Sequence, residues 1–261
     1  MTHVLAIANQ KGGVGKTTST FNLAHALVDL DQRVLCIDAD PQASLTEYFG
    51  FNPDELEEKH QTLYFALVGD EPTPLSNLVL GDNPALVPTS IQLANADPEL
   101  RQHPLIEPQT VLRKRIRELD DRYDFVLIDC QPSLGILPIN ALAAADSVLV
   151  PVETSRLSRS GLRHFFDTMR RIRRHLNPQV EVWGILPTKF DARTTQDSEQ
   201  LAIIREFAAA RHTRVFEPIK DTTMFDKASA AGVPVSAIRS GPVTIENYKQ
   251  IAQELIAHAA R

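Results

Sequence analysis

Cysteine is scarce in this chain of 261 residues: Cys36 and Cys130 are the only two. Both lie in apolar, strand-like runs, so they read as two buried, reduced thiols and not as a disulfide framework. Long apolar runs are also missing. No stretch approaches the roughly 18 residues that a membrane span needs. The N-terminus has no basic region ahead of its short apolar stretch, which argues against a cleaved export signal and for a cytoplasmic protein. Repeats and low-complexity tracts are absent. An overall excess of positive charge is absent too. The formal net charge is −6, which excludes a wholly basic nucleic-acid binder. With 43% hydrophobic and 23% charged residues the chain is not disordered, and its length suits one large α/β domain over residues 1–261.

The charge is unevenly spread. Residues 1–150 hold 10 Lys and Arg against 21 Asp and Glu, whereas residues 151–261 hold 17 against 12. The second half is therefore the part that could face a polyanion.

Short apolar runs alternate with longer helical patterns. Strands are expected at His3–Asn9, Arg33–Asp38, Ala85–Thr89, Asp124–Asp129, Ser147–Val152, Glu181–Thr188 and Arg214–Ile219. Helices are expected at about Lys16–Leu30, Thr110–Leu119, Leu137–Ala145, Ser158–Leu176, Thr195–Arg211, Thr223–Ala231 and Thr244–Ala260. Runs such as Val4-Leu5-Ala6-Ile7-Ala8 are apolar at consecutive positions, which implies burial on both faces. The expected fold is α/β and doubly wound: a mostly parallel sheet with helices on both faces. Phe51–Pro108, rich in Pro, Asp and Glu, reads as short helices and loops on one edge.

Chemistry concentrates at Asn9-Gln10-Lys11-Gly12-Gly13-Val14-Gly15-Lys16-Thr17-Thr18. This segment follows a buried strand and opens a helix. Its glycines let backbone N–H groups curl around phosphate oxygens, and the helix N-terminus adds partial positive charge. Lys16 is placed for the β- and γ-phosphates, Thr17 for Mg²⁺ and Thr18 for the α-phosphate. The usual P-loop has Gly where this chain has Gln10, and a second lysine, Lys11, stands ahead of Gly12-Gly13. Two further apolar strands end in carboxylates: Asp38 and Asp40 in Ile37-Asp38-Ala39-Asp40-Pro41-Gln42, and Asp129 in Ile128-Asp129-Cys130-Gln131-Pro132. Carboxylates at strand ends beside a P-loop face the ligand crevice. One of Asp38 and Asp40 can serve the Mg²⁺ shell while the other orients water, and Asp129 completes a Walker B pattern.

Lys11–Thr18 resembles the deviant Walker A motif of the ParA/MinD family of ATPases. Asp38–Gln42 resembles that family's second motif and Val126–Gly135 its Walker B. The resemblance continues through Asn140-Ala141-Leu142, Val150-Pro151-Val152-Glu153, Gly184–Thr188 and Asp191-Ala192-Arg193-Thr194, over nearly the whole chain. The short ParA/Soj partition ATPases are the most similar group. They lack an added N-terminal DNA-reading domain, and the start of this chain, just before its first strand, is expected to leave no room for one.

The resemblance implies ATP and Mg²⁺ as cofactors. It implies a homodimer that sandwiches ATP, with Lys11 of one subunit reaching the other's phosphates. Asp40 would position water, and Asp38 and Asp129 would serve the Mg²⁺ shell. Adenine contacts would fall at Thr188, Lys189 and Pro218. The dimer would bind double-stranded DNA without sequence preference and let go when a ParB-like or cargo-adaptor partner stimulates hydrolysis. This would place it on the nucleoid. Arg193, then Lys220 and Lys227, are the DNA candidates, followed by the arginine-rich helix Ser158–Leu176.

A MinD-like membrane ATPase would need an amphipathic basic tail, which the terminal Ala-Ala-Arg is expected not to supply, so no membrane partner is expected. A metal-cluster ATPase resembling the nitrogenase iron protein would need exposed cysteines at the dimer seam. An ATP-dependent small-molecule ligase or kinase would leave Lys11 without a task.

Overall fold

Strands made of consecutive apolar residues have to be covered on both sides, and the sheet meets that demand. The computed structural model describes residues 2–102, 107–133, 135–155, 159–238 and 242–260. In chain order its elements begin with strand β1 (His3–Ile7), helix α1 (Lys16–Val28) and strand β2 (Val34–Ala39). Short helices α2 (Ser44–Tyr48), α3 (Pro53–Glu58) and α4 (Leu63–Leu67) lead to β3 (Ala85–Val87), α5 (Ala96–Gln102) and α6 (Val111–Arg117). Then come β4 (Phe125–Cys130), α7 (Ile136–Ala144), β5 (Ser147–Glu153), α8 (Arg159–His175), β6 (Glu181–Thr188) and α9 (Thr195–Ala209). The chain ends with β7 (Arg214–Val215), α10 (Met224–Ala230) and α11 (Pro242–Ala259).

The seven strands form one sheet in the order β3-β2-β4-β1-β5-β6-β7. All six pairings are parallel. Two cores flank the sheet. Val4, Ala6, Ala8, Val126 and Ile128 pack under α4 to α9, including Leu137, Phe165, Met169 and Ile204. Leu5, Ile7, Cys36 and Leu127 point the other way, against Phe21, Leu23 and Leu27 of α1 and Tyr248, Ile251 and Leu255 of α11. The alternation along each strand splits the apolar residues between two helical layers, as a doubly wound fold requires. Both cysteines are buried and free.

Element boundaries differ from the sequence reading by a few residues. The largest difference is the seventh strand, expected over Arg214–Ile219 and regular only over Arg214–Val215. Pro218 has no N–H to donate. Beyond Val215 the chain keeps contact through spaced bonds, Phe216 N–H to the Ile185 carbonyl (2.9 Å) and Ile219 N–H to the Pro187 carbonyl (2.8 Å), and through an isolated bridge between Phe190 and Lys220. The described residues of Phe51–Pro108 form short helices, 3₁₀ turns and the edge strand β3, as its weak periodicity suggested. Ser158 and Leu134, which the sequence reading included in a helix and in the third motif, lie outside the described residues.

The β5–β6 register shifts between Val148 and Leu149, beside Gly184. A Cβ on Gly184 would collide with the Phe216 ring and lie 2.7 Å from Arg214 Cγ. Phe216 is itself pinned under Trp183, with ring centroids 4.6 Å apart. Gly184→Ala is therefore expected to destabilise the fold by about 1–3 kcal/mol through overpacking. Urea denaturation with no loss of midpoint would show that β7 yields freely.

Candidate functional site

The P-loop leaves β1 between its neighbours β4 and β5, at the C-terminal edge of the sheet, and enters α1. That is where a doubly wound fold opens a crevice. Gly13 and Gly15 hold φ of 71° and 82°, the left-handed region that favours glycine. No side chain caps α1, whose first turn is left to present its N–H groups to whatever enters. The cleft in front of it has a volume of about 1170 Å³. Gly13, Gly15, Lys16, Thr17, Thr18 and Asp40 line one side, with Thr188, Lys189 and Lys220 among the residues opposite.

Lys16 is 6% exposed. Its one hydrogen bond among the described residues is a 3.4 Å contact from Nζ to the Lys11 carbonyl of its own loop. A buried ammonium with so little compensation fits an anionic ligand. Thr17 Oγ1 donates to Asp129 Oδ2 at 2.6 Å, and Thr20 Oγ1 donates to Asp129 Oδ1 at 3.3 Å. A threonine hydroxyl backed by a carboxylate is a fitting donor set for Mg²⁺ at the mouth of the loop.

Asp38 and Asp129 are directly opposite each other in the β2–β4 ladder. Asp38 is 0% and Asp129 1% exposed. Burial pushes Asp38 up to about 7, against the hydrogen bonds it accepts. Burial first, then the neighbouring Asp38 charge, pushes Asp129 up to about 8. Asp38 is otherwise engaged. Its Oδ2 accepts Thr46 N–H and Thr46 Oγ1–H, both at 2.8 Å, and its Oδ1 accepts Asp40 N–H at 3.2 Å. The expectation that Asp38 and Asp40 face the ligand together therefore needs correction. Asp40 lines the cleft, whereas Asp38 turns in to fix Thr46 and the loop carrying Asp40. No local sequence signal marks Thr46 for that part.

Lys11 has a partner that the sequence reading missed. Its Nζ sits 2.9 Å from Glu153 Oε2 at the end of β5, with the lysine side chain 34% exposed. Partial burial opposes ionisation of Glu153, but hydrogen bonds from Lys11 and Ser155 hold its carboxyl below the usual carboxylate range. The signal was present in the sequence: Glu153 ends an apolar strand beside the P-loop, as Asp38 and Asp129 do.

The remaining candidates divide. Thr188 Oγ1 donates to the Val14 carbonyl at 2.9 Å, and Lys189 is exposed at the rim. Pro218 stands behind the cleft wall, its carbonyl taken by Asn247 Nδ2 at 2.9 Å, while Ile219, Lys220 and Asp221 do the lining. Arg193 also lines the cleft, forked onto Asp191 with Nη2–Oδ2 at 2.8 Å and Nε–Oδ1 at 2.9 Å. Those bonds hold Asp191 down to about 2. Lys227 is exposed on α10, away from the cleft lining. Arg193 and Lys220 therefore both line the cleft, and Lys227 does not.

Residues 2–182 match a family model described as an AAA domain. The sporulation initiation inhibitor protein Soj of Bacillus subtilis is 34% identical over 260 residues, covering 99% of this chain and 100% of Soj. The chromosome partitioning protein ParA of Caulobacter vibrioides is 35% identical over 259 residues, 97% of this chain and 94% of that one. The chain belongs to the ParA/Soj family of ATPases. A solved structure of cobyrinic acid a,c-diamide synthase from Mycobacterium smegmatis, with bound ATP analogue and magnesium, is similar with a TM-score of 0.83 at 33% identity. That likeness covers 99% of this chain and 96% of the other. As a ParA/Soj-type P-loop ATPase, the protein takes ATP with Mg²⁺ and hydrolyses it, in the manner of a partition or positioning ATPase. No helix among the described residues is long and apolar enough to cross a membrane.

The buried carboxylate pair sets a pH dependence. Between about pH 4 and 8 the folded protein keeps protons that the unfolded chain releases, so these two groups lower stability as pH rises through that window. Asp129→Asn keeps an acceptor for Thr17 and removes the charge. In protein free of metal and nucleotide, its Tm is expected to exceed the wild type at pH 8.5 by more than at pH 6, as read by thermal unfolding in EDTA. An equal loss of Tm at both pH values would show that the ionised Asp129 stabilises this site.

Proposed function

We propose that the protein is a DNA-partition ATPase. It forms an ATP-dependent sandwich dimer, binds DNA without sequence preference and is released when a partner protein carried by the cargo stimulates hydrolysis. The carrying observation is the pair of lysines in one loop. Lys16 is buried at the cleft floor, where the β- and γ-phosphates of a nucleotide on the α1 N-terminus belong. Lys11 stands at the loop's outer edge beside the exposed Gly12-Gly13, tethered to Glu153. A second cation there serves a second subunit's phosphates without competing with Lys16.

In this reading the P-loop N–H groups from Gly12 to Thr18 and the Lys16 ammonium cradle the phosphates. Thr17, oriented by Asp129, takes the metal, with Asp38 in support behind it. Thr17 would hold Mg²⁺ with Asp129 behind it, and the ion would supply neutralisation of the charge that develops on the phosphates. Asp40 accepts Gln42 N–H at 3.0 Å through Oδ1 and lines the cleft, the placement a water-orienting carboxylate needs. Thr188 and Lys189 border the adenine end. Arg193, Lys220 and Lys227 are the sequence-derived DNA candidates.

The second reading is an ATP-dependent small-molecule ligase. The name of the Mycobacterium smegmatis structure and the size of the cleft favour it. Self-association separates the two. Asp40→Ala is expected to bind ATP and run as a persistent dimer in size exclusion with ATP, with turnover lowered at least a hundredfold. Gly12→Val is expected to keep ATP affinity but stay monomeric. Gly12 is exposed, and a Cβ there meets only Pro132, at 3.8 Å, so the change spares the monomer. A wild type that hydrolyses ATP yet remains monomeric would favour the ligase.

A further inference from the structure

Helix α8 carries an apolar stripe, Leu162, Phe165, Met169 and Ile172, buried against the sheet. Its exposed face is rich in arginine, with Asp167, Ser160 and His164 among them. At 100° per residue Arg159, Arg163, Arg170 and Arg174 fall within about 60° of one another, a row about 22 Å long at 1.5 Å per residue. Arg171 and Arg173 flank it. All six are exposed. Arg170 is within ion-pair distance of Asp167 (2.5 Å), and Arg173 donates to the Pro178 carbonyl at 3.3 Å. Arg159, Arg163, Arg171 and Arg174 have no partner among the described residues.

The charge arithmetic singles out this helix. It holds six arginines and one aspartate, a balance of +5. That equals the whole excess of residues 151–261, whose remaining charges are eleven of each sign. The cleft-mouth candidates add no field of their own. Arg193 is neutralised by Asp191, and Lys220 is followed by Asp221. The patch widens at its end. Arg113 of α6 donates to the Leu176 carbonyl at 3.1 Å, which brings the exposed Lys114 and Arg117 of α6 alongside the C-terminus of α8.

We infer that the arginine row of α8, extended by Lys114 and Arg117, is the surface that holds the DNA phosphate backbone. The inference rests on the DNA reading above and places its interface. The composition of the row favours a duplex over a bilayer. It contains no lysine, its arginines suit forked phosphate contacts, and every large aliphatic side chain of α8 faces the core, leaving none to insert into lipid.

The test uses fluorescence anisotropy on two unrelated duplexes across a salt series, with ATP, with ADP and without nucleotide. The triple variant Arg163→Ala/Arg170→Ala/Arg174→Ala is compared with Arg193→Ala and wild type. Each lost phosphate contact removes about 0.9 from the slope of log affinity against log salt, so the triple variant is expected to lose about 2.7 from the slope. Its affinity should fall at least tenfold on both duplexes at low salt, while ATP-dependent dimerisation is kept. Arg193→Ala is expected to change the slope by less than 0.9. If the triple variant fails to fold, single Arg163→Glu carries the same comparison. Wild-type binding with an unaltered α8 variant overturns the α8 assignment and leaves the DNA reading standing. A wild type that binds neither duplex in any nucleotide state overturns the DNA reading itself. A loss seen only on vesicles containing phosphatidylserine makes α8 a lipid surface and also overturns the inference.

Discussion

Two carboxylates lie side by side in a parallel sheet, shielded from solvent, and the site is organised by how that cost is met. Asp129 is answered by Thr17, Thr20 and the nearby Lys16 charge. Asp38 is answered by Thr46 and by the backbone of Asp40. The first set fixes the start of α1 against β4, and the second fixes the loop after β2. A buried carboxylate unmatched in this way would protonate or unfold its surroundings. The same bonds that satisfy it therefore determine where the P-loop and the Asp40 loop stand. A divalent cation arriving beside Thr17 would pull both groups back toward ionisation, so metal binding and local stability are coupled through this pair.

Lys11 and Lys16 answer opposite electrostatic problems. Lys16 is buried near the Asp129 carboxylate, with a single 3.4 Å hydrogen bond from its ammonium among the described residues, and waits for an anion. Lys11 is half exposed and already compensated by Glu153, which Ser155 also supports with a 2.9 Å hydrogen bond. A cation held by a carboxylate of its own chain is available elsewhere only when a stronger anion displaces that carboxylate. A triphosphate presented by a second subunit is such an anion, and a monophosphate is a poorer one. In the proposed dimer Glu153 would make Lys11 selective for an assembled, fully charged partner site.

Much of this could be read from the sequence because the signals were local. Strands apolar at consecutive positions, glycines ahead of Lys16, and aspartates ending Ile37-Asp38 and Ile128-Asp129 each depend on residues within a few positions. What escaped reading depends on distant partners. Thr46 meets Asp38 only because the short helix α2 folds back under β2, and Glu153 meets Lys11 only because β5 lies beside β1. Asp38 and Asp40 share a direction in an extended chain, but Asp38 ends inside the sheet and Asp40 begins a turn, so the alternation rule stopped one residue too early. Pro218 was placed by its neighbours in sequence, although the missing N–H of that proline interrupts the ladder, which resumes at Ile219.

Charge segregates along the same lines. The acidic first half of the chain builds the catalytic edge, where carboxylates must meet Mg²⁺ and lysines must meet phosphate. Its surplus of negative charge would repel a duplex from most of the surface. The positive balance of the second half is not spread thinly over it but gathered on one face of α8, on the opposite side of the sheet from α1 and α11. A polyanion guided by such a field has one favourable approach, set by the helix axis and not by base sequence. Doubling the protein doubles that face while leaving the rest repulsive, so assembly alone would convert a weak site into a strong one. In the proposed cycle the nucleotide need not act on DNA contacts directly: by setting whether two copies are joined, it would set whether two arginine rows act together.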